Sequence, residues 1–194
     1  GCTRGGQLIG IGAGQYWRLG SEIFLHAGLL HLAMNGYALW IFGNVVEREL
    51  GRTRFLAIFV VGGLFASAAS FVFGDPFIPG VGASGAIFAI FGAFAGYSWR
   101  RRQLAFYAGR IRNAITLIVI NAVFSFAVPG IDWRAHLGGL VGGVALGLAV
   151  DGMGRRGSRV VTFAAAVAIL AAAAAVGVAW HAAELRTLYG TTCG

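Results

Sequence analysis

The chain has 194 residues, of which 58% are hydrophobic and only 11% are charged, and its mean hydropathy is +0.76. An average soluble domain carries about 25% charged residues, so this chain lacks the polar side chains that would cover a soluble globule. Its net charge of +8 comes from fifteen arginines and no lysine. No basic face with interleaved aromatic residues accompanies that charge, so nucleic acid is excluded as a partner. The expected surroundings are the lipid bilayer.

Six apolar stretches are long enough to cross a membrane. A spanning helix needs roughly 20 mostly apolar residues, and backbone groups in lipid must be satisfied within the element, which favours helices. The six stretches are residues 19–43, 54–73, 82–99, 111–128, 132–150 and 159–181. The predicted fold is therefore all-α, a polytopic transmembrane helical bundle with six spans in this chain.

The arginines are distributed unevenly between the two sides of this bundle. Eleven of the fifteen lie in the first, third and fifth connections between spans, and four lie on the opposite side. Because connections rich in arginine stay in the cytoplasm, both chain ends are predicted to face outside.

The first predicted span contains several polar side chains, which are costly in lipid and therefore candidates for function. His31 and Asn35 are four residues apart and share one helical face. His26 lies five residues before His31 and is expected to point elsewhere. Taken singly, the histidines fit a hydrogen bond between helices equally well, and Asn35 fits one better than a catalytic role.

The fifth predicted span carries His136, followed at helical spacing by three glycines, Gly139, Gly143 and Gly147. Small residues in this pattern let two helices approach closely. The third span offers a matching stripe that begins at Gly85 and continues through Ala89. If the two stripes pack together, Ser84 and His136 come to the same depth near the outer face.

Ser84 begins the third span between small residues, within the sequence GASG. A serine hydroxyl becomes a nucleophile when a nearby base takes its proton, and His136 is the candidate base. The free N–H groups of the helix N-terminus, together with the His/Asn pair of the first span, are candidates to stabilise an oxyanion. Gly82 and Gly85 are expected to leave room for a substrate backbone.

Simpler interpretations exist for each polar residue taken alone. A serine at the start of a helix is more often an N-cap than a nucleophile. Asp132 lies four residues before His136 and either orients that histidine or caps its helix, the cap being the commoner role. Asn121 in the fourth span is interpreted as a hydrogen-bonding residue between helices.

Taken together, the motifs resemble the rhomboid family of intramembrane serine proteases. The segment YWRLGSEIFLHAGLLHLAMNG, residues 16–36, resembles the family's Trp-Arg loop and H-x-x-x-N helix. GASG resembles its G-x-S-G nucleophile motif, and AHLGGLVGG, residues 135–143, resembles its A-H-x-x-G-x-x-x-G helix. The resemblance covers roughly residues 15–150.

The resemblance implies a role for individual residues. Ser84 would be the nucleophile and His136 its partner, and the oxyanion hole would be lined by His31, Asn35 and the Ser84 backbone. Phe88 would pack beneath His136. Family substrates are single-pass membrane proteins cut near the outer membrane face, and no metal or cofactor is used. The alternative from a different class is a non-catalytic protein that binds membrane helices, like the family's inactive relatives.

The resemblance also divides the chain. Residues 1–18 would form an outer lead with the Trp-Arg loop, residues 19–150 a catalytic core of five spans, and residues 151–194 an extra C-terminal span and tail. The family core has six helices and its first precedes the Trp-Arg loop, so this chain is expected to lack that helix. The expected location is the inner membrane of a bacterial cell, with the active site toward the outer side. No oligomeric state is predicted.

Overall fold

A computed structural model describes residues 9–75, 78–127, 130–150 and 156–189. Every regular element in these ranges is helical, as predicted. Two 3-10 turns, Ile11–Ala13 and Glu22–Phe24, flank the short helix α1, Arg18–Ser21, and a π-helical turn, Leu39–Gly43, joins α2 to α3. The remaining helices are α2 (Leu29–Ala38), α3 (Asn44–Leu50), α4 (Arg52–Phe73), α5 (Ser84–Arg100), α6 (Ala105–Ala127), α7 (Trp133–Ala149) and α8 (Arg156–Tyr189).

The first predicted span is displaced along the chain, and its predicted start was wrong. Its continuous helical stretch covers Leu29–Leu50 and not residues 19–43. Ile23 is apolar because its side chain packs against α4 at Gly63, not because it faces lipid. At the other end the helix continues past residue 43 because Val46 and Leu50 are buried in the core.

Within the described residues, three helical stretches are long and apolar enough to cross a membrane by length and composition: Leu29–Leu50, Arg52–Phe73 and Ser158–Tyr189. Helices α5 and α7 have only 17 residues each, about 25 Å at 1.5 Å per residue. That is less than the roughly 30 Å of a bilayer's hydrocarbon core. The count of six spans therefore stays a prediction, although helices are found in each of the six predicted regions.

Helix α5 is at the centre of the bundle. It packs against α4, α6 and α7, and every residue from Gly85 to Ala93 is buried. Large apolar side chains on the outer helices are exposed instead, among them Leu29 of α2, Val123 of α6 and Val161 of α8. This pattern is inverted relative to a soluble domain and suits a bundle whose outer surface is covered by lipid.

The two glycine stripes pack against each other, as predicted. A methyl group added at Gly139 would overlap the carbonyl oxygen of Gly85, and one added at Gly143 would overlap the carbonyl oxygen of Ala89. Backbone atoms of α5 and α7 therefore fill the space that side chains would otherwise need. This contact sets the depth of Ser84 relative to His136.

Replacing Gly143 with alanine is expected to destabilise the bundle. The new methyl would meet the backbone of Ala89, which cannot move without shifting α5, so we expect a cost of about 1–3 kcal/mol. Thermal unfolding in detergent measures the loss. Gly109→Ala in α6 is the matched control, because no described atom lies within 4 Å of its added methyl. Equal unfolding temperatures for the two variants would contradict the tight α5–α7 contact.

The lead and the last helix are tied together by one arginine. Arg186 of α8 donates from Nε to the Gly12 carbonyl oxygen and from a terminal nitrogen to the Tyr16 hydroxyl, each at 2.8 Å. Helix α8 also packs on α4 and α7. The predicted boundaries after residues 18 and 150 stay predictions, and residues 1–8, 151–155 and 190–194 lie outside the described residues.

Candidate active site

Ser84 and His136 lie on the two central helices, α5 and α7, and their side chains meet between them. Ser84 is the first residue of α5, and His136 lies in the first turn of α7. The distance from His136 Nε2 to Ser84 Oγ is 2.7 Å, a hydrogen bond between residues 52 positions apart in the sequence. His136 is 9% exposed, and Ser84 is partly buried.

The hydroxyl of Ser84 is not used as a helix cap. Ala83 is the N-cap of α5, and no side-chain hydrogen bond closes that end of the helix. Asp132, in contrast, caps α7 by accepting from the backbone N–H groups of Arg134 at 3.0 Å and Ala135 at 3.1 Å, and it also accepts from the Ser70 hydroxyl. The cap interpretation was therefore wrong for Ser84 and is confirmed for Asp132.

Phe88 packs against the histidine ring, as the resemblance implied. The ring centroids of Phe88 and His136 are 4.3 Å apart and the planes are inclined by only 12°. Phe88 is one helical turn after Ser84, so the same stretch of α5 that carries the hydroxyl also holds the imidazole plane. The stack limits rotation of the ring about its Cβ–Cγ bond.

His31 and Asn35 lie beside the loop that leads into Ser84. An ideal Cβ built on Gly82 would be 2.8 Å from His31 Nε2 and 3.5 Å from Asn35 Nδ2. Asn35 is 9% exposed, and its amide nitrogen is buried with no hydrogen-bond partner in the described residues. A buried donor without a partner is costly, and here it lies against Gly82, two residues before the candidate nucleophile Ser84.

Gly82 and Gly85 both lie where two elements pack closely. Gly82 has a φ of +121°, which favours glycine, and its missing side chain leaves room for the His31 ring. At Gly85 the corresponding space is filled by the methyl of Ala66. Both glycines thus allow close packing between elements, and the room that they were expected to leave for a substrate backbone stays a prediction.

His26 contacts His31, contrary to the expectation from helical spacing. The two rings meet edge to face, with centroids 5.1 Å apart. The spacing argument failed because α2 begins only at Leu29, so His26 belongs to the preceding loop. His26 Nδ1 lies 3.2 Å from the carbonyl oxygen of Phe24.

The loop before Ser84 is anchored through Glu22, which precedes the first span. The Gly82 N–H donates to the Glu22 carbonyl oxygen at 2.9 Å. Burial raises the pKa of the Glu22 carboxyl, a hydrogen bond from Ser67 opposes that rise, and the nearby Asp132 carboxylate adds to it. The backbone of Glu22 thus holds the loop, while its partly buried carboxyl lies near polar side chains on α4 and at the start of α7.

Sequence reasoning missed Ser125 of α6. Its hydroxyl oxygen lies 2.6 Å from His136 Nδ1 and 2.7 Å from the backbone carbonyl oxygen of Asn121. The available signal was a hydroxyl in an apolar span, near the end that faces His136. Asn121 and Ser125 are four residues apart and therefore share one helical face, but this spacing does not show that the face is turned toward His136.

An apolar cavity in the described part of the chain lies away from this site. Its volume is about 630 Å³, and it is lined by α4, α7 and α8, including Phe65, Leu137 and Ala173. Neither Ser84 nor His136 lines it. Its lining is mostly apolar, with Arg134 as the charged residue among the lining side chains.

The fold and site define a class: a helical membrane protein with a serine and a histidine hydrogen-bonded across its two central helices. The family model described as the Rhomboid domain matches residues 13–151. The chain belongs to the rhomboid family.

Several curated proteins are similar to this chain. Rhomboid protease GluP of Bacillus subtilis is 42% identical over 173 residues, which cover 88% of this chain and 32% of that protein. Putative rhomboid protease YdcA of Bacillus subtilis is 36% identical over 141 residues, covering 73% of this chain and 70% of that protein. RHOMBOID-like protein 1 of Arabidopsis thaliana is 37% identical over 136 residues, covering 69% of this chain and 34% of that protein. The chain thus spans about a third of the length of GluP.

Proposed function

We propose that this chain is an intramembrane serine endopeptidase that cleaves single-pass membrane proteins near the outer membrane face with a Ser84–His136 dyad. The observation that carries the proposal is the 2.7 Å hydrogen bond between Ser84 Oγ and His136 Nε2. Membership of the rhomboid family supports it, as does the 42% identity to a relative named a rhomboid protease.

The first half of the reaction follows from this hydrogen bond. His136 Nε2 accepts the proton as Ser84 Oγ attacks the carbonyl carbon of the scissile peptide bond. The imidazolium then donates that proton to the leaving amine nitrogen as the C–N bond breaks, which leaves an acyl ester on Ser84. Water attacks the ester in the second half with His136 again as base, and the serine is regenerated.

The oxyanion formed in each half has candidate donors close by. The unpartnered amide of Asn35 and the His31 ring lie against Gly82, and the N–H groups at the start of α5 have no partners within the helix. Donors held before the reaction begins stabilise the developing charge without reorganising. The helix N-terminus adds its positive dipole end.

The surroundings of the dyad support a substrate that lies in the membrane. Helix α5 is enclosed by other helices, and the outer helices expose apolar side chains. A substrate that reaches Ser84 therefore has to come from the bilayer and offer a peptide bond near a membrane end. Its helix has to unwind there, because a helical backbone hides the carbonyl carbon from attack.

The experiment that tests this function is cleavage in reconstituted vesicles. Purified protein is incubated with a set of single-pass membrane proteins that differ near their outer ends, and mass spectrometry locates each cut. We expect a single cut close to one membrane end. Binding of these substrates without any cleavage by a well-folded protein would favour the non-catalytic alternative.

Replacing Asn35 with alanine is expected to lower kcat by about a hundredfold to a thousandfold, the usual loss for one oxyanion donor. KM should change little, because the amide acts on charge that appears only in the transition state. Met34→Ala on the same helix is the matched control, since its side chain is 54% exposed. An Asn35 variant with unchanged kcat would exclude this amide from the oxyanion hole.

A further inference from the structure

We propose that Ser125 is a positioning residue that sets the tautomer of His136, so that the dyad works as a chain of three side chains ending on the backbone carbonyl of Asn121. The inference rests on the proposed serine protease function. It concerns Nδ1 of the His136 ring, the nitrogen that does not face Ser84.

Proton counting in the three hydrogen bonds supports this assignment. The Asn121 carbonyl can only accept, so the single hydroxyl proton of Ser125 goes to it over 2.7 Å. The Ser125 oxygen is then left with lone pairs toward His136 Nδ1, 2.6 Å away, and that nitrogen has to carry the ring proton. Nε2 is therefore unprotonated and accepts from the Ser84 hydroxyl. No other arrangement of a neutral histidine makes all three bonds at once.

The tautomer matters because only an unprotonated Nε2 acts as a base toward Ser84. Without an acceptor at Nδ1, the ring proton is free to move to Nε2, where it would block the abstraction. The same acceptor also stabilises the imidazolium formed during the reaction, since a hydroxyl tied to a carbonyl presents its negative end to Nδ1–H.

No other described side chain takes this position. Asp132 is the carboxylate nearest in sequence, and its oxygens accept hydrogen bonds from the backbone at the N-terminus of α7 and from the Ser70 hydroxyl. Phe88 contacts the face of the ring and not its nitrogens. Ser125 is 5% exposed, so bulk water does not readily substitute for its hydroxyl.

The test compares Ser125→Ala with the isosteric pair Ser125→Thr and Ser125→Val. We expect Ser125→Ala and Ser125→Val to lose about tenfold in kcat, the value of one hydrogen bond, with KM unchanged. Ser125→Thr keeps the hydroxyl and should restore most of the rate. Thr116→Val is the matched control, because Thr116 also donates to the carbonyl four residues earlier in α6, at 3.0 Å, yet is far along the helix from His136.

A spectroscopic readout separates positioning from general destabilisation. The chain has four histidines, and ¹⁵N-histidine labelling, assigned with a His136→Asn variant, reports which ring nitrogen of His136 is protonated. We expect protonated Nδ1 in the wild type and in Ser125→Thr, and a mixture of tautomers in Ser125→Ala. Unchanged tautomer and kcat in Ser125→Ala would overturn the proposal, and so would equal rates for the threonine and valine variants.

Failure of this proposal is distinguishable from failure of the proposed function. A wild type that cleaves while Ser84→Ala does not would retain the dyad, whatever Ser125→Ala does. A wild type that never cleaves would remove the function, and the tautomer measurement would still decide whether Ser125 orients the ring.

Discussion

Ser84→Ala is expected to abolish cleavage of every substrate, with a loss of at least about 10⁴-fold in kcat. The Ser84 hydroxyl is the proposed attacking group, hydrogen-bonded to His136 Nε2, and the remaining oxyanion donors cannot replace it. Initial rates with a fluorescent single-pass substrate in vesicles measure the loss. Folding should be preserved, because the hydroxyl caps no helix and the alanine methyl takes the position of the serine Cβ.

The matched control for this variant is Ser98→Ala on the same helix. The Ser98 hydroxyl is fully buried and has no hydrogen-bond partner in the described residues. Its removal should leave the rate unchanged and the unfolding temperature equal or slightly higher, since no bond is lost. Near wild-type cleavage by Ser84→Ala would refute the assignment of the nucleophile.

His136→Asn is expected to lower kcat by about 10³–10⁴-fold, because asparagine cannot accept the serine proton. Since the serine and histidine act as one unit, the double variant with Ser84→Ala should be no slower than Ser84→Ala alone. Loss of the ring stack with Phe88 also predicts a lower unfolding temperature. Initial rates and thermal unfolding in detergent measure the two effects separately.

His181→Asn is the histidine control. His181 lies on α8 beside Phe71 and within 3.1 Å of Glu184, with no described contact to Ser84. Its substitution should leave cleavage unchanged. If losses in the single variants at Ser84 and His136 multiplied in the double variant, the two side chains would act independently and the dyad would be wrong.

The pairing of α5 with α7 could be predicted because two stripes of small residues have one obvious way to pack. That packing alone brings Ser84 level with His136. The start of the first span could not be predicted in the same way. Hydropathy does not distinguish Ile23, which faces α4, from Leu29, which is 85% exposed on the outer surface.

Contacts made by hydroxyls were harder to predict than those made by glycines. Ser84 and Ser125 have the same side chain, and neither spacing nor composition says which neighbour each one meets. Their partners depend on how α5, α6 and α7 meet in three dimensions. The packing role of Gly82 could not be predicted either, because the ring that it accommodates is that of His31, 51 positions earlier in the chain.

The most direct measurement is covalent labelling with a fluorophosphonate probe, which reacts with an activated serine and needs no known substrate. The folded protein is labelled in detergent and the adduct is located by mass spectrometry. The account predicts one adduct, on Ser84, that disappears in Ser84→Ala and forms far more slowly in His136→Asn. A folded wild type that leaves Ser84 unlabelled, or that is labelled at another serine, would contradict it.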